Sequence, residues 1–532
     1  MQITRRQALA GAGITLISAG ASSRARAQAA PFRFIVNVGL QNLDPISSPS
    51  FVTRNFAYLV FDTLVSMDSK GAYKPQMLQG WEISGDNLTW NFTLRPGLKF
   101  HDGSDVTAED CVASLKRWGG RDSIGRRLLA STESLTATDA RHFVLKLAKP
   151  FGGVLEALGK PSVHVPFIMP ARIANATPPS QQVQEIMGSG PFIFQRAGWI
   201  PGERASFTRN ANYVPREEPA DGLAGGKVVK LDRVEMATMA DPGLRVAALQ
   251  TGEVDYLEYA PVDYLPRLRT NRQMTIAQAG GQANLMYCAS LNHFLPPFDN
   301  VLMRRAVQQA LDRTEVLAGA GFGEGLGQPD CASLFMCGAP YSSTLGSDII
   351  QQPSLDRAKA LLQQAGYKNE RVVLLHPADS PLLNPYGLVM IDRLKRAGFN
   401  LDVQASDWAS IAQRWVQRQP LDQGGWNIVP VVYTGFDLAN PLSNMGVGFN
   451  CTDNQPWGYC VDEMSPVLAQ FEAESDPAKR REYAAQLQKI SFENATFPIA
   501  GQFRSPAVWR AELKGVIDFG FPVIWNIEKP AR

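Results

Sequence analysis

Residues 98–118 read LKFHDGSDVTAEDCVASLKRW, and this stretch predicts a tight turn followed by a capped amphipathic helix. Asp102 and the glycine after it form a turn pair, because glycine accepts positive φ and an aspartate can bond its own backbone. Thr107 is placed to cap the helix, and two acids follow it at the positive end of the helix dipole. Apolar residues recur at three- and four-residue spacing from Cys111 to Trp118, which predicts one buried face.

His101 stands beside Asp102, and such a pair raises the question of catalysis. A catalytic histidine needs a nucleophile or a second histidine close by, and none lies near this pair in the sequence. We therefore interpret His101 as part of the turn that leads into the helix.

The whole sequence has the composition of a globular protein, with 532 residues of which 45% are apolar and 19% charged. This length suggests about three structural domains. The 52 basic and 50 acidic residues leave a net charge of +2, which argues against nucleic acid as a partner. No run of about 18 apolar residues follows the N-terminus, so we do not expect the mature chain to span a membrane.

The first segment, residues 1–29, is predicted to be an export signal. Arg5 and Arg6 precede a weakly apolar stretch, and small residues then allow cleavage after Ala27 or Ala29. The order TRRQAL resembles the twin-arginine signal, but that signal usually has Phe where this chain has its first Ala, so the general secretion route stays open. No cysteine lies near the cleavage region, so we expect a soluble periplasmic protein without a lipid anchor.

Six cysteines are present, and four of them form two pairs that are close in sequence. The pairs are Cys331 with Cys337 and Cys451 with Cys460. In an oxidising compartment both are predicted disulfides, each stabilising by roughly 2–3 kcal/mol in the chain-entropy model. Zinc is the rival interpretation, but neither pair has Cys-x-x-Cys spacing or a nearby histidine, so no metal site is predicted. The other two cysteines, at 111 and 288, are expected to be small buried residues.

From about residue 280 onward, apolar strands alternate with amphipathic helices of 10–15 residues, a pattern typical of an α/β lobe. The last thirty residues return to strands and turns. We therefore predict two α/β lobes with mixed sheets and a hinge, the chain crossing between the lobes near residues 280 and 498. Two-lobed proteins of this kind bind ligands in the cleft at the hinge.

Motifs that carry enzyme chemistry are missing from the sequence. There is no His-Glu-x-x-His, Gly-x-Ser-x-Gly, Walker loop or Cys-x-x-Cys, and the five histidines are widely scattered. The glycine-rich run at 319–329 lacks Gly-x-Gly-x-x-Gly and follows a helix, which favours a flexible loop over a dinucleotide cradle. We predict no catalytic residues and no cofactor, and therefore a protein that is not an enzyme.

Aromatic residues cluster in the C-terminal quarter, several of them in or beside loops at strand ends. They are Trp408, Trp415, Trp426, Tyr433, Phe436, Trp457 and Tyr459. An α/β sheet presents its ligand crevice at strand ends, and aromatic walls suit a ligand of mixed polarity. Ordinary core packing is the alternative for any single one of them.

The segment at 100–118 resembles the signature region of the extracellular solute-binding proteins of family 5, the dipeptide- and oligopeptide-binding receptors of bacterial ABC importers. Further segments resemble the same family in the same order: VGLQNLDPI, GSGPFIFQ, LRVAALQTGEVDYL, FDNVLMRRAVQQALDR and SLDRAKALLQQAGY. The resemblance covers essentially the whole mature chain. It departs at Asp105, where the family usually has Pro.

The resemblance implies a class II-like, two-lobed periplasmic binding protein with an extra subdomain in its first lobe. The expected division is a first lobe of 30–279 plus 498–532, an inserted subdomain at about 66–187, and a second lobe of 280–497. It further implies a monomer that closes around a peptide or similar solute and presents it to the permease in the inner membrane. The family also takes up nickel chelates, haem, opines and sugars, so the solute itself stays open.

In peptide-binding members of the family, an aromatic-rich segment ends in an Asp that takes the ammonium group of the ligand. The matching segment here is 431–437, in which Tyr433 falls where the family often has Trp. Phe436 occupies the place of the usual Asp, and Asp437 follows it. Trp408 matches a Trp that lines the pocket of family members.

The resemblance also implies that Gln41 and Asn42 close the opposite wall and that Gly435 belongs to the binding segment. Cys451 and Cys460 lie where family members carry a disulfide near the pocket rim. The predicted ligand-binding residues are therefore Gln41, Asn42, Trp408, Tyr433, Gly435 and Asp437.

Two alternatives from other functional classes remain. A secreted hydrolase that acts on peptides or amides would cleave its ligand, whereas a receptor returns it intact. A chaperone or adhesin of the same fold would bind unfolded proteins weakly instead of one small solute.

Overall fold

The structure is a computed structural model that describes residues 30–323, 325–448 and 461–530. The predicted export signal and the predicted Cys451–Cys460 disulfide lie outside these residues. The strands are β1 (Phe32–Ile35), β2 (Asp62–Thr63), β3 (Val65–Met67), β4 (Tyr73–Pro75), β5 (Leu78–Ile83), β6 (Thr89–Leu94), β7 (Thr132–Ala137), β8 (His142–Leu147), β9 (Phe167–Ile168), β10 (Phe192–Ile200), β11 (Arg204–Arg209), β12 (Arg233–Ala237), β13 (Tyr256–Leu257), β14 (Met274–Ile276), β15 (Leu285–Leu291), β16 (Gly327–Gln328), β17 (Arg371–Pro377), β18 (Asn400–Ser406), β19 (Ile428–Thr434), β20 (Ile499–Phe503) and β21 (Val508–Arg510).

The α-helices are α1 (Phe51–Val60), α2 (Ala108–Gly119), α3 (Ser123–Ala130), α4 (Val154–Gly159), α5 (Ala171–Ala176), α6 (Pro242–Thr251), α7 (Leu265–Thr270), α8 (Val301–Ala310), α9 (Arg313–Gly319), α10 (Asp348–Gln351), α11 (Leu355–Gln364), α12 (Leu383–Ala397), α13 (Trp408–Trp415), α14 (Gly435–Leu438), α15 (Met464–Ala473) and α16 (Pro477–Asn494). Short 3₁₀ turns occur at Val262–Tyr264, Gly281–Ala283 and Leu421–Gln423. In the described part of the chain, none of the helices has both the length and the apolar character that crossing a membrane requires.

The turn and capped helix predicted for 98–118 are present. Thr107 and Asp110 form a capping box at the start of α2, in which each side chain accepts from the backbone N–H of the other. Cys111 and Trp118 are fully buried on the apolar face of the helix. The His101 ring lies with Nε2 3.2 Å from the Gly190 carbonyl oxygen, which ties the turn to the neighbouring loop.

A seven-stranded mixed sheet has the order β10-β11-β12-β1-β13-β21-β14. Its central strand β1 is parallel to β12 and β13, and the outer strands pair antiparallel. We call the part of the chain that builds this sheet, together with the insert described below, the first lobe.

A six-stranded mixed sheet with the order β16-β20-β15-β19-β17-β18 forms the second lobe. Strand β17 is parallel to β18 and β19, whereas β15 is antiparallel to β19 and β20. Every residue of β15 is buried, and Cys288 is fully buried there, as its sequence context predicts.

We call residues 78–176 the insert; they contain β5–β8, α2–α5 and also β9, which pairs with β2. Four of its strands pair antiparallel in the order β5-β6-β8-β7. Phe92 stacks on Phe143 with ring centroids 4.9 Å apart, and both side chains are buried.

The sheet order shows that the chain returns to the first lobe slightly later than the position expected near residue 498. Strand β20, which begins at Ile499, pairs with β15 and β16 of the second lobe, so the chain crosses back only after Phe503. An apolar strand reads the same whichever sheet it joins, and sequence periodicity therefore does not assign it. The crossing segments, 277–284 and 504–507, lie side by side, because the Ala277 N–H donates to the Ala507 carbonyl oxygen at 2.9 Å.

Candidate functional site

Three parallel strands of the second lobe bring the predicted aromatic and acidic residues to one edge. Because β17, β18 and β19 run in the same direction, their carboxyl ends meet at the same side of the sheet. Asp379 follows β17, Trp408 follows β18 and Gly435 follows β19. The Trp408 N–H donates to Asp379 Oδ1 at 2.8 Å, which holds the first turn of α13 against the neighbouring strand end.

Gly435 begins α14 directly against the first crossing segment. Its N–H donates to the Asn284 carbonyl oxygen at 2.8 Å. A Cβ on residue 435 would lie 2.6 Å from the Gln282 carbonyl oxygen, so a side chain would displace this backbone. The close approach to the crossing segment accounts for the glycine at this position.

Asp437 is buried in the first turn of α14, with 6% of its surface exposed. Its Oδ2 accepts a 2.6 Å hydrogen bond from the Thr434 hydroxyl as part of a capping box. Its Oδ1 has no hydrogen-bond partner among the described residues. Burial raises the pKa of Asp437, against the opposing effects of the Thr434 and Ser162 hydroxyls and of the Arg54 and Lys160 charges. Oδ1 can therefore still accept a hydrogen bond, and the Ser162 hydroxyl lies close enough to act on the same carboxylate.

A chain of polar side chains faces Asp437 from the first lobe. Arg54 Nη1 donates to Ser162 Oγ at 2.9 Å, and Ser162 Oγ lies 3.5 Å from the Thr434 hydroxyl oxygen of the second lobe. On its other side, Arg54 donates to the side-chain oxygen of Asn55, and Asn55 Nδ2 donates to Glu258 Oε1 at 2.6 Å. Hydrogen bonds thus run from Glu258 to the boundary between the lobes.

Arg54 is a buried cation without a carboxylate partner in direct contact. It is 2% exposed, and no Asp or Glu oxygen of the described residues lies within the 4.0 Å of an ion pair. Its guanidinium lies 4.0 Å from the Phe521 ring centroid and 5.0 Å from that of Phe51. Burial raises the pKa of Glu258, and the Arg54 charge opposes this effect. The charge of the Arg54 guanidinium therefore acts to lower the pKa of two buried acids, Glu258 of the first lobe and Asp437 of the second.

Phe436, at the position of the usual family Asp, packs across the boundary between the lobes. Its ring stacks on Phe519 of the first lobe with centroids 5.1 Å apart and meets Phe521 edge-on at 5.9 Å. We call this the aromatic contact. Where the family usually has a charged Asp, this chain has Phe436, which makes an apolar interaction between the lobes.

The other predicted aromatic residues pack mainly within the second lobe. The Tyr433 ring meets Phe497 at 5.8 Å, and the Trp408 ring lies 6.1 Å from Trp415. Both Tyr433 and Trp408 are half-buried, so each keeps surface available for a further contact. Their role in ligand binding stays a prediction.

The loop that carries Gln41 and Asn42 is fixed to the seven-stranded sheet. The Gly202 N–H donates to the Leu40 carbonyl oxygen at 2.9 Å. Asn42 uses its side-chain oxygen to accept from the Asp44 N–H at 2.8 Å, which shapes the loop internally. Gln41 is exposed. That this loop closes the opposite wall also stays a prediction.

Sequence reasoning missed the first-lobe side of the site. Arg54 and Asn55 lie in the helix sequence FVTRNFAYLV, where they and Thr53 interrupt an apolar run. A buried charge in such a helix needs partners, and this interruption was the available signal. Ser162, Phe519 and Phe521 lie in segments without a regular pattern, and only the fold brings them to the boundary.

A second contact between the lobes is charged. Glu156 of α4 accepts from three second-lobe side chains, namely Arg480 at 2.5 Å, Asn440 at 2.6 Å and the Tyr341 hydroxyl at 2.9 Å. Arg480 is 3% exposed and also donates to the Tyr341 hydroxyl oxygen at 2.9 Å. We call this group, together with the Glu472 pairs described next, the charged contact.

Glu472 of α15 forms the reciprocal half of the charged contact. Its carboxylate lies 3.1 Å from Arg127 and 3.4 Å from Lys149, both in the insert. Arg127 also donates to the Gly448 carbonyl oxygen at 2.8 Å. A cavity of about 330 Å³ opens beside these residues, between the insert and the second lobe. Its lining does not include the predicted ligand-binding residues.

The predicted disulfide between Cys331 and Cys337 is confirmed. Cys111 and Cys288 are free and buried, as predicted. Among the described residues, no three His, Cys, Asp or Glu side chains are grouped so that they could hold a metal ion.

Comparison with known sequences places these features in a family. The family model of the bacterial extracellular solute-binding proteins, family 5 Middle, matches residues 72–456. A probable peptide ABC transporter periplasmic-binding protein of Sinorhizobium fredii is 33% identical over 503 residues, which is 93% of each chain.

Solved structures show the same fold at lower sequence identity. The periplasmic binding protein AgaA of A. tumefaciens R10, in complex with agropinic acid, superposes with a TM-score of 0.78 at 23% identity and covers 94% of this chain and 99% of its own. The DppA protein of Helicobacter pylori, in complex with the peptide STSA, gives a TM-score of 0.76 at 20% identity, with 94% and 98% covered. The predicted two-lobed periplasmic binding fold is thereby confirmed.

Proposed function

The chain belongs to the bacterial extracellular solute-binding proteins of family 5, and we propose that it binds a peptide or peptide-like solute between its lobes for an ABC importer. The Sinorhizobium relative, named as a peptide-binding component, matches over 93% of its length. Two structural neighbours were solved with a peptide and with agropinic acid, which supports a peptide or a similar small solute as the ligand.

The observation that carries this proposal is the free Oδ1 of Asp437 at the boundary between the lobes. A ligand ammonium group would complete the hydrogen bonding of this buried oxygen, which otherwise stays unsatisfied at a cost in free energy. The half-buried rings of Tyr433 and Trp408 would provide apolar walls, and Gln41 and Asn42 would close the opposite side.

The remaining parts of the proposal concern location and partners. Residues 1–29 would direct export, by the twin-arginine or the general route, and be removed. The mature protein would be soluble and monomeric, and closed lobes would present the solute to the permease subunits in the inner membrane.

The first experiment separates a receptor from a hydrolase. Purified protein is incubated with a defined pool of di- to pentapeptides, and the bound and free fractions are analysed by mass spectrometry. The proposal predicts selective retention of intact peptides in equimolar amounts. Fragments that accumulate with time would establish the hydrolase alternative instead, and weak retention of unfolded proteins alone would favour a chaperone.

The second experiment assigns Asp437. Asp437→Asn keeps the oxygen that accepts from Thr434 but removes the charge, so binding of a peptide with a free amino group is expected to weaken at least tenfold, in line with a charge-assisted hydrogen bond of about 1.5–3 kcal/mol. The matched control is the same peptide with an acetylated amino group, whose affinity the substitution should leave unchanged. Equal affinity of both proteins for the free-amine peptide would remove Asp437 from the site.

A further inference from the structure

Arg54 and Arg117 are both almost fully buried, but their guanidinium groups are paired very differently. Arg117 is 4% exposed and donates to both carboxylate oxygens of Asp44, at 2.6 and 3.2 Å, and to two backbone carbonyl oxygens. Arg54 is 2% exposed, and its three hydrogen bonds within the described residues go to two uncharged acceptors, the Asn55 amide oxygen and the Ser162 hydroxyl. Because a guanidinium has five N–H donors, Arg54 keeps donors that this part of the chain does not use. A buried cation of this kind is costly unless an anion completes its hydrogen bonding.

A buried acid with spare hydrogen-bonding capacity lies at the same boundary between the lobes. Asp437 Oδ1 accepts no hydrogen bond from the described residues. The atoms Arg54 Nη1, Ser162 Oγ, Thr434 Oγ1 and Asp437 Oδ2 follow one another at separations of 2.9, 3.5 and 2.6 Å. Two hydroxyl groups therefore stand between a cation of the first lobe and an acid of the second, and a solute that contacts both charges bridges the lobes.

The spacing of the two charges limits the solute group that can contact both. An ammonium nitrogen and a carboxylate oxygen on one carbon atom are about 3 Å apart, and a hydrogen bond of about 2.8 Å at each end extends the span to about 8–9 Å. Arg54 Nη1 and Asp437 Oδ2 cannot be farther apart than their three contacts laid end to end, which is a span of the same order. In an extended peptide, each further residue moves the terminal carboxylate away from the ammonium group by roughly 3.5 Å, and therefore beyond Arg54.

We propose that Arg54 binds a carboxylate of the solute while Asp437 binds the ammonium group on the same carbon atom, so that the site prefers a free α-amino acid group. The inference rests on the proposed function and deepens it, because it names the chemical group by which the solute is selected. A guanidinium offers a carboxylate two parallel donors, and the two charges of the solute then meet two opposite charges of the protein. An ordinary peptide would still reach Asp437 through its amino group, but it presents an uncharged peptide carbonyl to Arg54.

The test uses two dipeptides of identical composition and charge. In γ-Glu-Ala the side-chain carboxyl forms the peptide bond, so the ammonium group and a free carboxylate share one carbon atom, whereas in α-Glu-Ala that carboxylate has become the peptide carbonyl. Calorimetry compares both on the wild type, on Arg54→Gln and on Arg269→Gln, whose substituted arginine is exposed on α7. The wild type is expected to bind γ-Glu-Ala about tenfold or more tightly, the effect of one hydrogen bond between charged groups. Arg54→Gln should abolish this preference, and Arg269→Gln should retain it.

Equal affinity of the wild type for the two isomers overturns the proposal, and so does a preference that survives Arg54→Gln. The comparison of isomers on the wild type needs no variant, so the proposal stays falsifiable even if Arg54→Gln does not fold, which urea titration checks. Arg54→Lys keeps the charge but loses the planar fork of donors, and its preference should lie between those of the wild type and Arg54→Gln.

A second measurement distinguishes failure of this inference from failure of the proposed function. L-alanine and L-leucine are compared with their amides, which lack the carboxylate, in thermal unfolding of the mature protein. The amino acids are expected to raise the unfolding temperature of the wild type and of Arg269→Gln more than the amides do, but not that of Arg54→Gln. If they act through Arg54 while no peptide binds, the peptide function fails and recognition of the amino acid group stands. If peptides bind but the isomers bind equally, this inference fails alone.

Discussion

The aromatic contact joins the two lobes by stacked rings, whereas the charged contact joins the same lobes by ion pairs and hydrogen bonds. At the aromatic contact, Phe436 stacks on Phe519 beside the crossing segments, and a carboxylate oxygen of Asp437 has no hydrogen-bond partner within the described part of the chain. At the charged contact, Glu156 has a partner at each oxygen and Arg480 is almost fully buried. A buried polar group with its partners fixes the orientation of the lobes, whereas one without a partner can still bind a ligand. If Asp437 binds the solute as proposed, the contacts that join the lobes and the group that recognises the solute belong to different parts of one boundary.

The largest expected effect comes from breaking the charged contact at its centre. Glu156→Ala leaves Arg480 buried without its carboxylate, so we expect a loss of about 2–4 kcal/mol in the free energy of unfolding, less than for a fully buried pair because Glu156 is 22% exposed. Urea titration measures this loss in the free energy of unfolding. Glu156→Gln, which keeps an acceptor, should cost less, and equal stability of Glu156→Ala and the wild type would contradict the account.

The aromatic contact should respond to loss of a ring. Phe436→Ala removes the stack on Phe519, and because Phe436 is half-buried we expect a loss of about 1–3 kcal/mol, below the range of a fully buried phenylalanine. Phe436→Leu, which keeps most of the apolar area, is the matched control and should lose less. If both variants match the wild type in urea titration, the ring does not join the lobes.

The pH dependence sharpens the comparison further, because the aromatic side holds two buried acids whose pKa values are raised by burial. Burial raises the pKa of Asp437 and of Glu258, so their contribution to stability is present at low pH, where both are protonated, and is lost as pH rises through their raised pKa values. Without ligand, Asp437→Asn should therefore unfold at an equal or higher urea concentration than the wild type at pH 7. The gain should shrink at pH 4. If Asp437→Asn is clearly less stable than the wild type at pH 7, the predicted direction of the effect is wrong.

The smallest effect is expected at an exposed ion pair outside both contacts. Lys146 and Glu133 pair at 2.8 Å on the insert, with about half of each side chain exposed. Lys146→Ala should change the unfolding free energy by no more than about 0.5 kcal/mol and leave peptide affinity unchanged. A larger change would show that the insert is sensitive to any loss of charge, and the effect of Glu156→Ala would then lose its specificity.

The sequence predicted local structure correctly where all the residues that determine it lie within one helix, strand or loop. The capping box at Thr107, the buried strand around Cys288 and the short disulfide loop at Cys331 each depend on neighbouring residues and were predicted correctly. The alternation of strands and helices predicted two lobes, and the resemblance to a family predicted the same fold. The expected return to the first lobe near residue 498 came a few residues too early, because sheet membership depends on long-range pairing that local periodicity does not encode.

The site was predicted from one side only. Asp437 and Tyr433 belong to a single aromatic segment that the family pattern identifies. Arg54, Ser162 and Phe519 face that segment from distant parts of the chain, and they meet it only after two lobes have formed. The partners of a boundary between lobes are set by tertiary structure, so sequence patterns identify the segment but not what it faces.

Native mass spectrometry of the mature protein, purified from a bacterial periplasm without denaturation, tests the central claim most directly. We predict a 1:1 adduct with a small solute that carries an amino group, released with unchanged mass when the protein is unfolded. A protein that carries no small molecule, and that binds none from a peptide pool under the same conditions, would contradict the claim that the lobes enclose a transported solute.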